Sequence, residues 1–291
     1  MSSTPTIVDA HAHLWDPAAH PWYPGLQAFA EHAASPWLLD RHRYADYAAH
    51  HPGVTLAGLV HVSAATAPHA YLDEARWLEE ELAAADVPAV TIGTVDPLLP
   101  AAEIVAHLDQ QAAHERFRGA RVYGALEPDS PATPVLLDWL AERGLVFDLV
   151  ASPGSLPAWV DVLAQRPGLS VVLEHLGTPH DVSPEGIAAW ATAMRDVAAG
   201  TDWVCKFSGL GMVLPEVTTD TVRPWLDGAV AAWGWDRLLF GSNMPIDSLH
   251  VAHTDLLRTI VPLVQSVASP DESARFFADN TRAAYRLPAP A

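Results

Sequence analysis

The chain has 291 residues and carries 16 Lys+Arg against 35 Asp+Glu, a formal charge of −19. That acidic excess disfavours a nucleic-acid or anionic-membrane binder, because both partners call for a basic surface. Half of the residues are hydrophobic and 18% are charged, which supplies a large core and excludes disorder over most of the chain.

Short runs rich in Val, Ile, Leu and Phe recur along the chain and predict eight strands: Ile7–Leu14, Leu56–Ser63, Ala89–Val95, Gly119–Tyr123, Val146–Val150, Ser170–His175, Trp203–Ser208 and Leu238–Ser242. Several are almost continuously apolar, as parallel strands covered on both faces are. Helical spacing alternates with them at Tyr71–Ala85, Ala101–His114, Pro134–Arg143, Leu156–Gln165, Pro184–Ala199 and Thr221–Trp233. Two further helices, Val251–Val267 and Pro270–Tyr285, close the chain. The first crossover, Asp16–Val54, breaks the rhythm. Its Pro- and Trp-rich start reads as an ordered loop, with a short helix near Leu38–His50. Eight strand–helix alternations without a linker predict one α/β domain over 1–291, a single (β/α)8 TIM barrel. No Gly-rich phosphate loop follows the first strand.

In such a barrel the chemistry sits at the C-terminal ends of the strands. His11 and His13 lie two apart on the first strand and so point to the same side, half of a metal site. His175 ends the sixth strand and is a third imidazole for the same mouth, as a ligand or a general base. Lys206 ends the seventh strand. It is the only Lys, the other 15 basic residues being Arg, so a catalytic or substrate-holding role is favoured over a structural ion pair. Its neighbour Cys205, the only cysteine, points the other way as a small buried residue. Arg121 on the fourth strand is either a clamp for a substrate carboxylate or the partner of Asp148 in a buried salt bridge. His61 and Tyr123, at the ends of the second and fourth strands, are further substrate-binding candidates. Asn243 can orient a water or substrate but cannot accept a proton. Asp247 either reaches the mouth or caps the following helix.

Together these motifs resemble the amidohydrolase-related family. The resemblance runs from Asp9-Ala10-His11-Ala12-His13-Leu14-Trp15 through Arg118-Gly119-Ala120-Arg121, Gly144-Leu145-Val146-Phe147-Asp148-Leu149 and Leu173-Glu174-His175-Leu176-Gly177. It continues to Cys205-Lys206-Phe207-Ser208-Gly209-Leu210 and Phe240-Gly241-Ser242-Asn243-Met244-Pro245. Within the family it is closest to the lactonase group, which contains pyrone dicarboxylate lactonase and fuconolactonase. The resemblance implies a divalent metal, a single zinc, on His11, His13 and His175. The family's last strand usually carries an Asp where this chain has Asn243, so the base would come from Asp247, Glu174 or His61, or the site would work without metal. The expected activity is opening of a lactone or related cyclic ester. A non-oxidative decarboxylase and a non-catalytic ligand-binding relative are the alternatives. A single cysteine and no signal-peptide pattern or membrane-length apolar run point to a cytoplasmic protein with a small-molecule substrate, a homo-oligomer remaining open.

Overall fold

A computed structural model describes residues 4–64, 66–68, 70–124 and 126–288. Eight strands follow one another in a single sheet of order one to eight: β1 Thr6–Ala12, β2 Thr55–Val62, β3 Ala89–Gly93, β4 Phe117–Arg121, β5 Val146–Leu149, β6 Ser170–Leu173, β7 Val204–Phe207 and β8 Leu238–Phe240. All seven neighbouring pairs are parallel. The seam between β8 and β1 is made just past the end of β8. There the Asn243 N–H donates to the His11 carbonyl and the His13 N–H to the Met244 carbonyl, each at 2.7 Å. The result is the expected (β/α)8 barrel.

The helices are α1 Pro24–His32, α2 Tyr44–Ala48, α3 Ala70–Glu81, α4 Ala101–Ala112, α5 Ala132–Glu142, α6 Leu156–Leu163, α7 Pro184–Gly200, α8 Leu210–Val213, α9 Thr219–Trp233, α10 His253–Gln265, α11 Pro270–Ala274 and α12 Asn280–Tyr285. Local chemistry explains their ends. Ser183 caps α7 by accepting the Gly186 N–H at 3.0 Å, with Pro184 fixing the first helical φ. The buried face of α7 is Trp190, Met194 and Val197, spaced four and three apart. Strand residues Val8, Val60, Val90, Val146, Val172 and Leu239 form an apolar cluster with Tyr285 and Leu287 from the C-terminal end, while a larger cluster joins strands to helices.

Two expectations are corrected. The first crossover holds not one helix near Leu38–His50 but α1, a 3-10 turn at Pro36–Leu39 and α2. Pro24 starts α1, which buries Leu26 and Ala30 at helical spacing. Between the 3-10 turn and α2, His42 pairs its backbone with Trp15 (2.8 and 2.9 Å), which pulls the chain out of helix. The last predicted helix is interrupted by a π turn at Arg275–Asp279, which accompanies burial of both Phe276 and Phe277. No helix among the described residues is long and apolar enough to cross a membrane.

Candidate active site

His11 is the last inward residue of β1, and His13 lies one residue beyond the strand. Their Nε2 atoms face each other at 3.2 Å. His13 Nδ1 sits 2.7 Å from the Val62 carbonyl, an acceptor only, so Nδ1 carries the proton and Nε2 presents a lone pair. Two imidazole nitrogens bound tetrahedrally to one zinc are about 3.3 Å apart for bonds of about 2.0–2.1 Å. The pair therefore has the spacing of two ligands to one ion. His175 lies beside them, its ring centroid 4.4 Å from that of His11 and its Nδ1 2.9 Å from Ser208 Oγ.

His175 is held by an unusual backbone. His175, Leu176, Gly177 and Thr178 all have positive φ, between 46° and 69°. For non-glycine residues this stores strain, and such strain clusters at functional sites. The turn ends β6 at Leu173, two residues before the predicted strand end, and the Trp190 indole N–H pins it at the Leu176 carbonyl (2.7 Å). Two glycines fit closely against the histidines. A Cβ on Gly209, itself at φ +74°, would lie 2.9 Å from His175 Nδ1, and one on Gly241 would lie 2.9 Å from His11 Cβ. Gly209→Ala is expected to push His175 off Ser208 and weaken metal affinity about 10- to 100-fold, the usual effect of disturbing a ligand's support. Competition with a chromogenic chelator measures it.

Glu174 is the hub of the charges. Its Oε1 lies 3.3 Å from His11 Nδ1 and 3.5 Å from Lys206 Nζ; its Oε2 lies 3.3 Å from Arg121 Nη1 and 3.6 Å from His175 Nε2. Burial works to raise its pKa, but Arg121 and Lys206 together prevail and hold it at about 2. Asp148 is the other acid: it takes Lys206 Nζ at 2.5 Å and the Tyr285 hydroxyl at 2.8 Å. Burial pushes Asp148 up to about 6, with Lys206 opposing. Two buried cations thus face two buried carboxylates, and the imidazoles stay neutral. Burial lowers His11 and His13 well below the ordinary histidine value, nearby cations adding to it, and holds His175 at about 4. Neutral imidazole is the form that binds metal. The oxygens of Glu174 approach ring nitrogens of both His11 and His175, and these three residues form a cluster able to hold a metal.

The other predicted residues fall into three places. Asn243, at φ +54°, donates its amide N–H to Asp247 Oδ1 at 2.7 Å, while the Gly211 N–H donates to Asp247 Oδ2 at 2.9 Å. Asp247 therefore ties the loop after β8 to α8 and sits beneath Asn243, with burial raising its pKa to about 7. His61 is fully buried, its Nδ1 accepting the Leu14 N–H at 3.1 Å, so it packs beside His13. Tyr123 lies two residues past β4, is 64% exposed and carries the Arg121 guanidinium over its ring at 5.5 Å. Lys206 is fully buried among Asp148, Glu174 and His11 Nδ1 (3.2 Å), and Cys205 packs on the opposite face in the larger apolar cluster. Arg121 pairs with Glu174 and with the Ser63 carbonyl rather than with Asp148, its register partner across β4 and β5.

Residues that the sequence did not single out complete the frame. Asp9 Oδ1 accepts the N–H groups of His11 and Ser242, each at 2.9 Å, and its Oδ2 accepts the Tyr47 hydroxyl at 2.6 Å. One carboxylate thus joins β1, the end of β8 and α2. The readable signal was a charged residue inside an apolar strand, which Asp9 and Asp148 share.

The buried titratable groups set the pH dependence of stability. His42 and His175 are lowered to about 4, His61 and His253 to about 3, and His11 and His13 well below 6.5, so protonation of the unfolded chain removes their contribution as pH falls below that value. Asp148 at about 6 and Glu74 and Asp247 at about 7 act oppositely, their contribution being lost as pH rises through those values. The six histidines outnumber the three acids, so stability of the metal-free protein should rise steeply from pH 4.5 and level off toward pH 7.5, where the two sets nearly cancel. Urea midpoints across that range would show it; a flat or falling profile between pH 4.5 and 6.5 would contradict it.

A family model described as amidohydrolase matches residues 8–287. The chain belongs to the amidohydrolase family. Among curated relatives, the y4mH protein of Sinorhizobium fredii is 28% identical and spans 97% of this chain and 98% of its own. An L-fucono-1,5-lactonase of Burkholderia ambifaria is 28% identical over 75% of this chain and 77% of its own. Among solved structures, an amidohydrolase of Burkholderia multivorans with bound zinc superposes with a TM-score of 0.79 at 23% identity, over 97% of this chain and 100% of its own. That last likeness is one of fold.

Proposed function

We propose that this amidohydrolase opens a lactone or related cyclic ester by attack of water at the strand ends. The observation that carries the reading is the meeting of His11, His13 and His175 with Glu174 and Arg121 at one end of the barrel. The relative called L-fucono-1,5-lactonase and the zinc in the structural neighbour support it. His11, His13 and His175, with Glu174 beside them, would hold one divalent metal, zinc by the donor set, which when bound polarises a carbonyl and lowers the pKa of a water.

The chain's own groups do the rest. Arg121, anchored on Glu174 and Ser63, presents its guanidinium beside exposed Tyr123 and holds the substrate's carbonyl or carboxylate oxygen. Of the three candidate bases, Glu174 is too acidic at about 2. His61 uses its Nδ1 lone pair on Leu14 and therefore carries its proton on Nε2. Asp247, at about 7, is matched to proton transfer near neutral pH. Asn243 orients the water through its amide oxygen while its N–H holds Asp247. The water O–H breaks toward Asp247 as its oxygen bonds the carbonyl carbon; the ring C–O bond then breaks and the leaving alkoxide takes the proton back.

Consumption of a panel of five- and six-membered lactones, followed with a pH indicator, tests the reading against CO2 release from aromatic acids. Lactone turnover without CO2 is the expected result. Release of CO2 with no lactone consumed would contradict it.

A further inference from the structure

His11 has two neighbours that decide where its ring proton sits. On one side, His13 Nε2 lies 3.2 Å from His11 Nε2. His13 gives its own proton to the Val62 carbonyl through Nδ1 at 2.7 Å, so its Nε2 is a lone pair. Two lone pairs at that distance repel, whereas one N–H between them makes a hydrogen bond. On the other side, Lys206 Nζ lies 3.2 Å from His11 Nδ1. An ammonium only donates, so Nδ1 must accept. Both neighbours therefore place the His11 proton on Nε2. The three N–H groups of Lys206 meet three acceptors, Asp148 Oδ2 at 2.5 Å, His11 Nδ1 at 3.2 Å and Glu174 Oε1 at 3.5 Å. Its side chain is fully buried, where an unmade hydrogen bond is costly.

That tautomer is the wrong one for a metal. Imidazole ligates through a lone pair, and Nε2, which His11 turns toward His13, carries the proton. To serve as a ligand there, His11 must hold its proton on Nδ1. Ligating histidines usually give that other N–H to a carboxylate or a carbonyl. One carboxylate is in place, Glu174 Oε1, 3.3 Å from His11 Nδ1. Lys206 and Glu174 thus compete for one ring nitrogen at nearly equal distance and ask opposite things of it. Lys206 can release His11 and still keep both carboxylate partners. The exchange moves a proton between two atoms of one neutral imidazole, so no group changes its charge.

We propose that His11 is a two-position tautomer switch. Lys206 holds its proton on Nε2, where His11 cannot act as a ligand, and Glu174 accepts the Nδ1–H when a metal is bound. Lys206 thereby sets how tightly the site holds metal, a positioning role for the chain's only lysine. The inference rests on the single-metal reading above and goes beyond it.

Two measurements test it. Nitrogen NMR of ring-labelled histidine shows which ring nitrogen carries the proton, the His11 signals being identified by their loss in His11→Gln. In the metal-free natural protein the proton should be on Nε2, and one equivalent of zinc should move it to Nδ1. Zinc affinity is then measured by chelator competition for the natural protein, for Asp148→Asn, and for Lys206→Met combined with Asp148→Asn. The double variant removes one charge of each sign and so leaves the net charge of the site unchanged. It should bind zinc about 10- to 100-fold more tightly than the natural protein, the effect of one hydrogen bond from a charged donor beside a ligand. Asp148→Asn alone keeps the ammonium on His11 and should show no gain. A His11 proton on Nδ1 without metal, or one that stays on Nε2 with zinc bound, overturns the switch in the natural protein, whether or not the variants fold. So does a double variant that binds zinc no better, or a gain that Asp148→Asn alone reproduces; either leaves the single-metal reading standing. If the natural protein takes up no zinc but the double variant does, the switch is upheld and the single-metal reading fails. Uptake by none of the three overturns both.

Discussion

Replacing Lys206 by Met is expected to destabilise the protein by about 3–5 kcal/mol, the cost of stripping one partner from a buried ion pair. Lys206 Nζ is fully buried, 2.5 Å from Asp148 and 3.5 Å from Glu174, and 5.4 Å from the centre of the Tyr285 ring. Without it Asp148 keeps only the Tyr285 hydroxyl and must take up a proton. Glu174 keeps Arg121 but loses half of its charge compensation. The double variant Lys206→Met with Asp148→Asn should recover much of the loss, since it removes both charges of the tighter pair together. Lys206→Arg should not, because a planar guanidinium does not fit a site shaped for a point charge. Urea denaturation of the three proteins measures this. A substrate-holding lysine would behave differently: KM would rise while stability held.

Asp247→Asn is expected to lower kcat about 10²- to 10⁴-fold, the range of a positioned general base. Its carboxyl is raised by burial to about 7, so the active, deprotonated form accumulates only as pH rises through that value. The natural protein's kcat should therefore climb across neutrality to a plateau, and the variant's should lack that limb. The substitution keeps one oxygen for Asn243 or Gly211, so the fold should survive with a loss of about 1 kcal/mol. A variant within threefold of the natural kcat would remove Asp247 from the chemistry.

Much of this architecture was legible in the amino-acid order. Eight apolar runs mark the eight strands because parallel barrel strands are covered on both faces, so burial and sequence pattern coincide. The strand ends were harder. His13, His175, Ser208 and Asn243 all lie beyond the hydrogen-bonded strands, and His175 and Asn243 take positive φ values that no residue type announces. The mouth residues His11, His13, His175, Arg121 and Lys206 could be read from their positions, yet their partners could not. Lys206 stood out as the lone lysine. What makes a lysine tolerable there is Asp148 on β5, Glu174 after β6 and Tyr285 near the chain's end, and no spacing rule joins those four. The acidic balance has also acquired a sharper meaning. The charge of −19 belongs to the whole chain, whereas at the barrel mouth two cations and two carboxylates match.

The most direct test is a metal titration of tag-free protein stripped with chelator, following lactone hydrolysis as zinc is added back. Activity absent at zero metal and rising linearly to a plateau at one zinc per chain is the predicted result. Full activity in the stripped protein, indifferent to added zinc, would contradict a single-metal hydrolytic centre on His11, His13 and His175.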